Sequence, residues 1–221
     1  MTARLRPRAA GGLHEPSIPI ILCAKNEERS IAMTLDATKN FAAPLTRERL
    51  FAWQAALFPT RRSGLRAVRI DGWRDDAHAP MQVVSGAIGR ERIHYQAPPA
   101  AQIETDMQAF LAWFNRPHAT DGILHAAIAH LWFVTIHPFE DGNGRIARAL
   151  AEMSLARSEN SPQRFYSLSA QIRRDRSGYY GSLETTQKGD LDITRQHLWF
   201  IECFSKTLDA AEQVCANALR K

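Results

Sequence analysis

Apolar residues recur along most of this chain at the three-to-four spacing of helices that bury one face. The first such run covers residues 26–40, marked by Ile31, Leu35 and neighbouring small residues, and Pro44 breaks it. Thr46 then caps a helix whose apolar positions are Leu50, Trp53, Leu57 and Phe58. Gln54 interrupts that stripe and belongs at its edge, and Pro59 closes the helix. Residues 60–102 lose the period. Gly64, Gly72, Gly86, Gly89, Pro80, Pro98 and Pro99 punctuate two β-like runs, 81–84 and 92–95, joined by a turn at 85–89: a short hairpin. The helical spacing returns at Ile103 and continues through Met107, Phe110, Leu111 and Phe114, stopping at Pro117. Residues 121–136 are apolar nearly all round, the pattern of a central buried helix. Further helices are expected over 146–157, 167–174, 178–187 and 191–219, the last with Leu198, Ile201, Phe204 and Leu208 inward. The fold class expected is therefore an all-α bundle carrying one small hairpin. Residues 1–25 hold Gly11-Gly12 and several prolines without a period and read as a loose tail ahead of one domain, 26–221.

Length and composition change little in that picture. A chain of 221 residues, 45% hydrophobic and 23% charged, suits one soluble domain. No apolar run approaches the roughly 18 residues that span a bilayer. Three widely spaced cysteines, Cys23, Cys203 and Cys215, make no disulfide framework, so a reducing cytoplasmic setting is expected, with the latter two as packed thiols. The net charge of +5 is spread over arginine clusters at 4–8, 61–74 and 173–176. With no nucleic-acid signature beside them they read as solvated surface, and a nucleic-acid partner is not expected.

The chemistry gathers in His137-Pro138-Phe139-Glu140-Asp141-Gly142-Asn143-Gly144-Arg145-Ile146-Ala147-Arg148. An imidazole titrates near neutral pH and can take a proton from a hydroxyl. A carboxylate is the hard oxygen ligand Mg²⁺ takes when it also holds phosphates. Two glycines open a turn just where a new helix starts, and free N–H groups there attract anions. Arg145 and Arg148 lie three apart and share a face. His125 and His130, five apart, form no metal pair and read as packed or surface histidines.

This string resembles, position for position, the signature of the Fic family, HPFx(D/E)GNGRxxR, and the likeness extends over roughly residues 26–205. The resemblance implies a Fic-type helical bundle with a hairpin flap over the active site. It also implies a protein adenylyltransferase, moving AMP from ATP to a serine, threonine or tyrosine hydroxyl of a target protein. On that reading His137 is the general base and Asp141 holds Mg²⁺ or Mn²⁺. Gly142, Asn143 and Gly144 hold the α-phosphate, and Arg145 and Arg148 the two beyond it. Tyr180 and Gln187 face the adenine, and Val83, Val84, Ser85 and Gly86 dock the target as an added strand. Plainer roles stay open from the residues alone: Asp141 as a helix cap, the glycines as a turn, the arginines as surface, the tyrosines as packing. Rival functions are a non-catalytic nucleotide- or partner-binding module, removal of AMP, or transfer of another phosphate-containing group.

Two departures stand out. Many Fic proteins carry an inhibitory helix patterned (S/T)xxxE(G/N); neither Glu27-Glu28 nor Glu212 completes it here. A separate inhibitory protein, or a lost upstream segment, is what that leaves. Arg195-Gln196 also stands where relatives often have a tryptophan-bearing turn.

Overall fold

In the computed structural model, residues 18–77, 79–86, 90–117, 120–189 and 192–220 are described, residues 18–27 by backbone alone. Among them run α1 (Ile18–Lys39), α2 (Arg47–Leu57), β1 (Arg62–Ser63), β2 (Arg66–Ala67), β3 (Gln82–Ser85), β4 (Arg92–Gln96), α3 (Ala100–Asn115), α4 (Gly122–Ile136), α5 (Asn143–Glu159), α6 (Leu168–Arg174), α7 (Arg176–Lys188) and α8 (Thr194–Leu219). The all-α bundle with its hairpin is what the pattern predicts.

The core forms around α4. Its nearly continuous apolar surface packs most heavily on α5, with α3 and α8 on other sides, while α1 lies along α5 and α2 on α1. Ala126, Ala127 and Ala129 of α4 and Ala147, Ala149 and Ala151 of α5 are all fully buried. Side chains this small let two helices approach closely, because interaxial distance follows the residues at the contact. Around them Phe110, Phe114, Phe133, Phe139 and Phe200 fill the interior. At the far end Arg157 ties three segments together, donating from Nε to Phe41 O at 2.8 Å, from Nη1 to Phe114 O at 2.9 Å and from Nη2 to Ala43 O at 3.0 Å.

The Thr46 cap read from sequence is in place, its Oγ1 accepting from Arg49 N at 3.2 Å. Asp121, not foreseen as a cap, accepts from Ile123 N at 2.9 Å at the start of α4. Several expectations need correction. Residues 18–25, expected as part of a loose tail, are helical; residues 1–17 lie outside the described residues. A Pro at the second position of that helix costs little, since its missing N–H belongs to the unpaired first turn. The inward stripe of α8 is Gln196, His197, Phe200, Cys203, Phe204 and Thr207, whereas Leu198 is 62% exposed and Ile201 and Leu208 also face outward. The aromatic Phe200 and Phe204 choose the buried face, and the leucines one position off it are left outside. Cys203 is buried as expected, but Cys215 is exposed. The two-residue strands β1 and β2 were too short to show a period.

The expected hairpin pairs β3 with β4 antiparallel, Val83 opposite Tyr95 and Ser85 opposite Arg92, with a register shift after Val83. Gly86 turns the chain at φ 105°, and a Cβ there would meet Arg90 O at 2.7 Å. Residues 87–89 are not described. α7 packs on β4. Among the described residues no strand pairs with the other edge of β3.

Candidate active site

α4 ends at His137 in the left-handed conformation, φ 53° and ψ 56°. That reversal stops the helix and turns the chain into the loop Pro138–Gly142, after which α5 leaves with Gly142 as its N-cap. His137 Nδ1 lies 3.1 Å from Val134 O. A carbonyl only accepts, so Nδ1 carries the hydrogen and Nε2 keeps its lone pair. Burial pushes the imidazole pKa down to about 4, with the Val134 carbonyl opposing and the nearby Arg74 charge assisting. The ring is therefore neutral at physiological pH, the form that accepts a proton.

The loop is held by residues that sequence reading placed elsewhere. Arg74 was grouped with surface arginines, yet its side chain is fully buried. Its Nε donates to His137 O at 2.7 Å, its N–H to Pro138 O at 2.9 Å, and Nη2 to Pro98 O at 2.6 Å, while Asp76 neutralises it at 2.6 Å. Gln54, expected at the edge of its helix, is likewise fully buried and donates from Nε2 to Asp141 O at 3.1 Å. Ser63, on the unforeseen β1, donates from Oγ to Asp141 Oδ2 at 2.6 Å. A glutamine breaking an apolar helix face and an Arg-Asp-Asp run were the available hints.

Asn143 points inward. Its Oδ1 accepts from Phe139 N at 3.0 Å and its Nδ2 donates to Phe139 O at 2.7 Å. The side chain thus clamps the loop, and what it presents to an anion is its backbone. The N–H groups of Asn143 and Gly144 have no hydrogen-bond partner among the described residues, as expected for the first turn of a helix. They leave the positive end of α5 open to an anion. Gly142 makes the tight entry possible: φ is 90°, and a Cβ would stand 3.1 Å from Phe58 and 3.3 Å from Leu57.

Arg145 lies over the Phe58 ring at 4.8 Å, with Nη2 3.9 Å from Asp141 Oδ1. A Cβ at Gly144 would be 3.6 Å from Arg148 Nη1, so that guanidinium lies beside the first turn of α5. Among the described residues Arg148 has no carboxylate partner. Asp141 is half-buried; besides Ser63, it accepts from Gly142 N at 2.6 Å rather than capping the helix from the N-cap position. One carboxylate suits a Mg²⁺ or Mn²⁺ ion that takes its other oxygens from phosphates and water. No group of three acidic, histidine or cysteine side chains that would make an all-protein cage occurs among the described residues.

On the other side of His137, Tyr95 donates its hydroxyl to Thr135 O at 2.6 Å, and Gln187 Nε2 donates to Thr135 Oγ1 at 3.2 Å. The hairpin and α7 therefore meet at the last turn of α4. Tyr180, seven residues before Gln187, is half-buried. Tyr179 is buried and packs, its hydroxyl 3.3 Å from Nε2 of the fully buried His130. His125 is buried too, stacked on Trp113 at 4.2 Å with Nδ1 2.7 Å from Ser154 Oγ. Neither histidine faces the loop chemistry.

A helical bundle thus sets an unprotonated imidazole nitrogen beside an arginine-flanked, amide-rich helix start. The Fic/DOC family model matches residues 44–155, and the chain belongs to that family. It is similar to the protein adenylyltransferase Fic of Drosophila virilis and to that of Drosophila melanogaster, 38% identical to each over 106 residues, 47% of this chain and 20% of each relative. The chain thus spans about a fifth of the length of these curated relatives. In fold it is similar to a Fic-domain-containing signaling protein from Bacteroides thetaiotaomicron (TM-score 0.64, 18% identity, covering 92% of this chain and 73% of that one). It is similar also to Fic-1 from C. elegans (TM-score 0.57, 24% identity, 88% and 52%). No helix among the described residues is long and apolar enough to cross a membrane.

Proposed function

We propose that this chain is a protein adenylyltransferase, transferring AMP from ATP to the hydroxyl of a serine, threonine or tyrosine on a target protein. The observation that carries the reading is the His137 tautomer: Nδ1 is committed to Val134 O, so Nε2 is free to accept a proton next to an open helix start. The target oxygen attacks the α-phosphorus of ATP, its proton passes to His137 Nε2, and the bond to the β-phosphate oxygen breaks, releasing pyrophosphate. The Asn143 and Gly144 N–H groups hold α-phosphate charge, and Arg145 and Arg148 hold the leaving phosphates. Alignment and charge stabilisation are most of what phosphoryl-type transfer asks of a protein. Asp141 would hold Mg²⁺ or Mn²⁺, which when bound neutralises phosphate charge. Tyr180 and Gln187 face the adenine. The free edge of β3, with Val83, Val84 and Ser85 before the Gly86 turn, receives an extended target segment by strand addition. The similar Drosophila proteins are protein adenylyltransferases, which supports the same reaction.

The test is incubation of the chain and of His137→Ala with a candidate protein mixture and ATP labelled at either the α or the γ position. Protein labelled from α-labelled ATP only, and only by wild type, is expected. Label from the γ position would mean phosphorylation. Nucleotide binding without transfer by either form would identify a binding module instead.

A further inference from the structure

α1 and α5 end side by side, because Arg157 near the end of α5 binds Phe41 O and Ala43 O just beyond the end of α1. Met33 and Ala37 of α1 are buried in the same core as α5, and the two helices pack along their length, so they run parallel. Stepping back along each, twelve residues from Phe41 reach Arg29 and twelve from Arg157 reach Arg145. At 1.5 Å per residue both steps cover about 18 Å, which puts Arg29 level with the start of α5. Arg29 also precedes Met33 and Ala37 by one and two turns, on the stripe that α1 turns toward α5. The electrostatics agree: the Arg145 pKa is lowered first by burial, against the pull of Asp141, and further by the charges of Arg148 and Arg29.

Three guanidiniums thus converge on the open end of α5 from two helices. Arg29, half-buried like the other two, has no ion pair or hydrogen bond among the described residues, and neither has Arg148. Asp141 is the carboxylate near Arg145. Like charges held together and partly desolvated repel unless an anion joins them. The excess is two positive charges (three guanidiniums less one carboxylate), and an anion with charge well away from the α5 amides would meet it.

We propose that Arg29 is the third guanidinium of the polyphosphate site, contacting the terminal phosphate and setting a preference for triphosphates over shorter nucleotides. This rests on the nucleotide reading above.

Calorimetric titration of wild type, Arg29→Ala and Arg29→Lys with ATP, ADP and AMP in Mg²⁺ at fixed ionic strength tests it, with a melting temperature for each protein. Arg29→Ala is expected to lose about tenfold in ATP affinity, the effect of one charge-assisted contact. ADP should lose less, AMP nothing, and the melting temperature should not fall, since only repulsion is removed. Arg29→Lys should recover part of the loss, keeping the charge without the planar fork. Equal losses for all three nucleotides would mean a structural role, and no loss for ATP would remove Arg29 from the site; either result overturns the assignment. A wild type that binds no nucleotide overturns the functional reading and this one together. A wild type that binds ATP as tightly as Arg29→Ala does overturns this one alone.

Discussion

The Ser85 hydroxyl lies 2.6 Å from Nε2 of His94, and Nδ1 of that histidine lies 2.6 Å from Glu184 on α7. The chain of contacts looks like a nucleophile and its base, but Glu184 is also paired with Lys188 at 2.8 Å and Arg92 at 2.8 Å. Those bonds, from Lys188, His94 and Arg92 in turn, hold its pKa down to about 2. A carboxylate shared among so many donors polarises an imidazole weakly. Its evident effect is mechanical: it fastens β4 to α7, and through His94 it reaches Ser85 of β3.

Replacing Glu184 by Gln should therefore loosen the hairpin without unfolding the bundle. Amide hydrogen exchange in β3 and β4 should quicken at least several-fold, while that of α4 and α5 stays as in wild type. Unchanged exchange in the hairpin would mean that backbone pairing alone holds it.

Asn143 supports a sharper stability prediction. Asn143→Ala removes two buried hydrogen bonds and leaves Phe139 N and O without partners. About 2–4 kcal/mol of unfolding free energy should go, at the usual cost of an orphaned buried backbone group. Asn143→Asp keeps the acceptor and loses the donor, so denaturant midpoints should fall in the order wild type, Asp, Ala. An alanine variant as stable as wild type would show that water replaces the clamp.

How far the sequence carries the fold depends on the range of the forces involved. The helix spacings of α2 to α5, the Thr46 cap and the glycine entry to α5 are local and could be read directly. The brackets around the loop could not: Arg74, Gln54 and Ser63 lie 63 to 87 residues from the atoms they hold. Only packing brings them there, and from composition a buried arginine looks like any other. The α8 face was misread for a related reason. Leu198, Ile201 and Leu208 satisfy a helical period, but so do Phe200, Cys203 and Phe204 about 100° away, and the neighbours choose.

Acid should destabilise the fold through His137 and the fully buried His130. Burial lowers the pKa of His137 to about 4 and of His130 to about 3, the latter also repelled by Arg148. Unfolded, each would bind a proton near pH 6.5. Between those values the unfolded state binds more protons, so stability is full above about pH 6.5 and declines as pH falls toward 4 and then 3. His130→Phe should flatten this decline across the whole range in chemical denaturation measured from pH 7 to 4, and an unchanged slope would refute the assignment. In the catalytic reading, kcat/KM should hold steady to about pH 5, because His137 remains a neutral base there.

Glu152 works in the opposite direction. It sits inside α5, buried, with Arg164 Nε 3.7 Å away, and burial raises its pKa to about 7 although Arg164 pulls the other way. The folded state therefore holds this proton more tightly than the unfolded chain, whose glutamates ionise near pH 4.3. Its contribution is complete below about pH 4.3 and is lost as pH rises to about 7. Glutamine resembles the protonated acid in shape and cannot ionise. Glu152→Gln should thus gain on wild type progressively between pH 5 and 8 in matched denaturation curves, whatever the histidines contribute, because their titration is common to both proteins. Parallel curves across that range would mean that Glu152 stays ionised against Arg164, and that the pair, not the proton, satisfies the site.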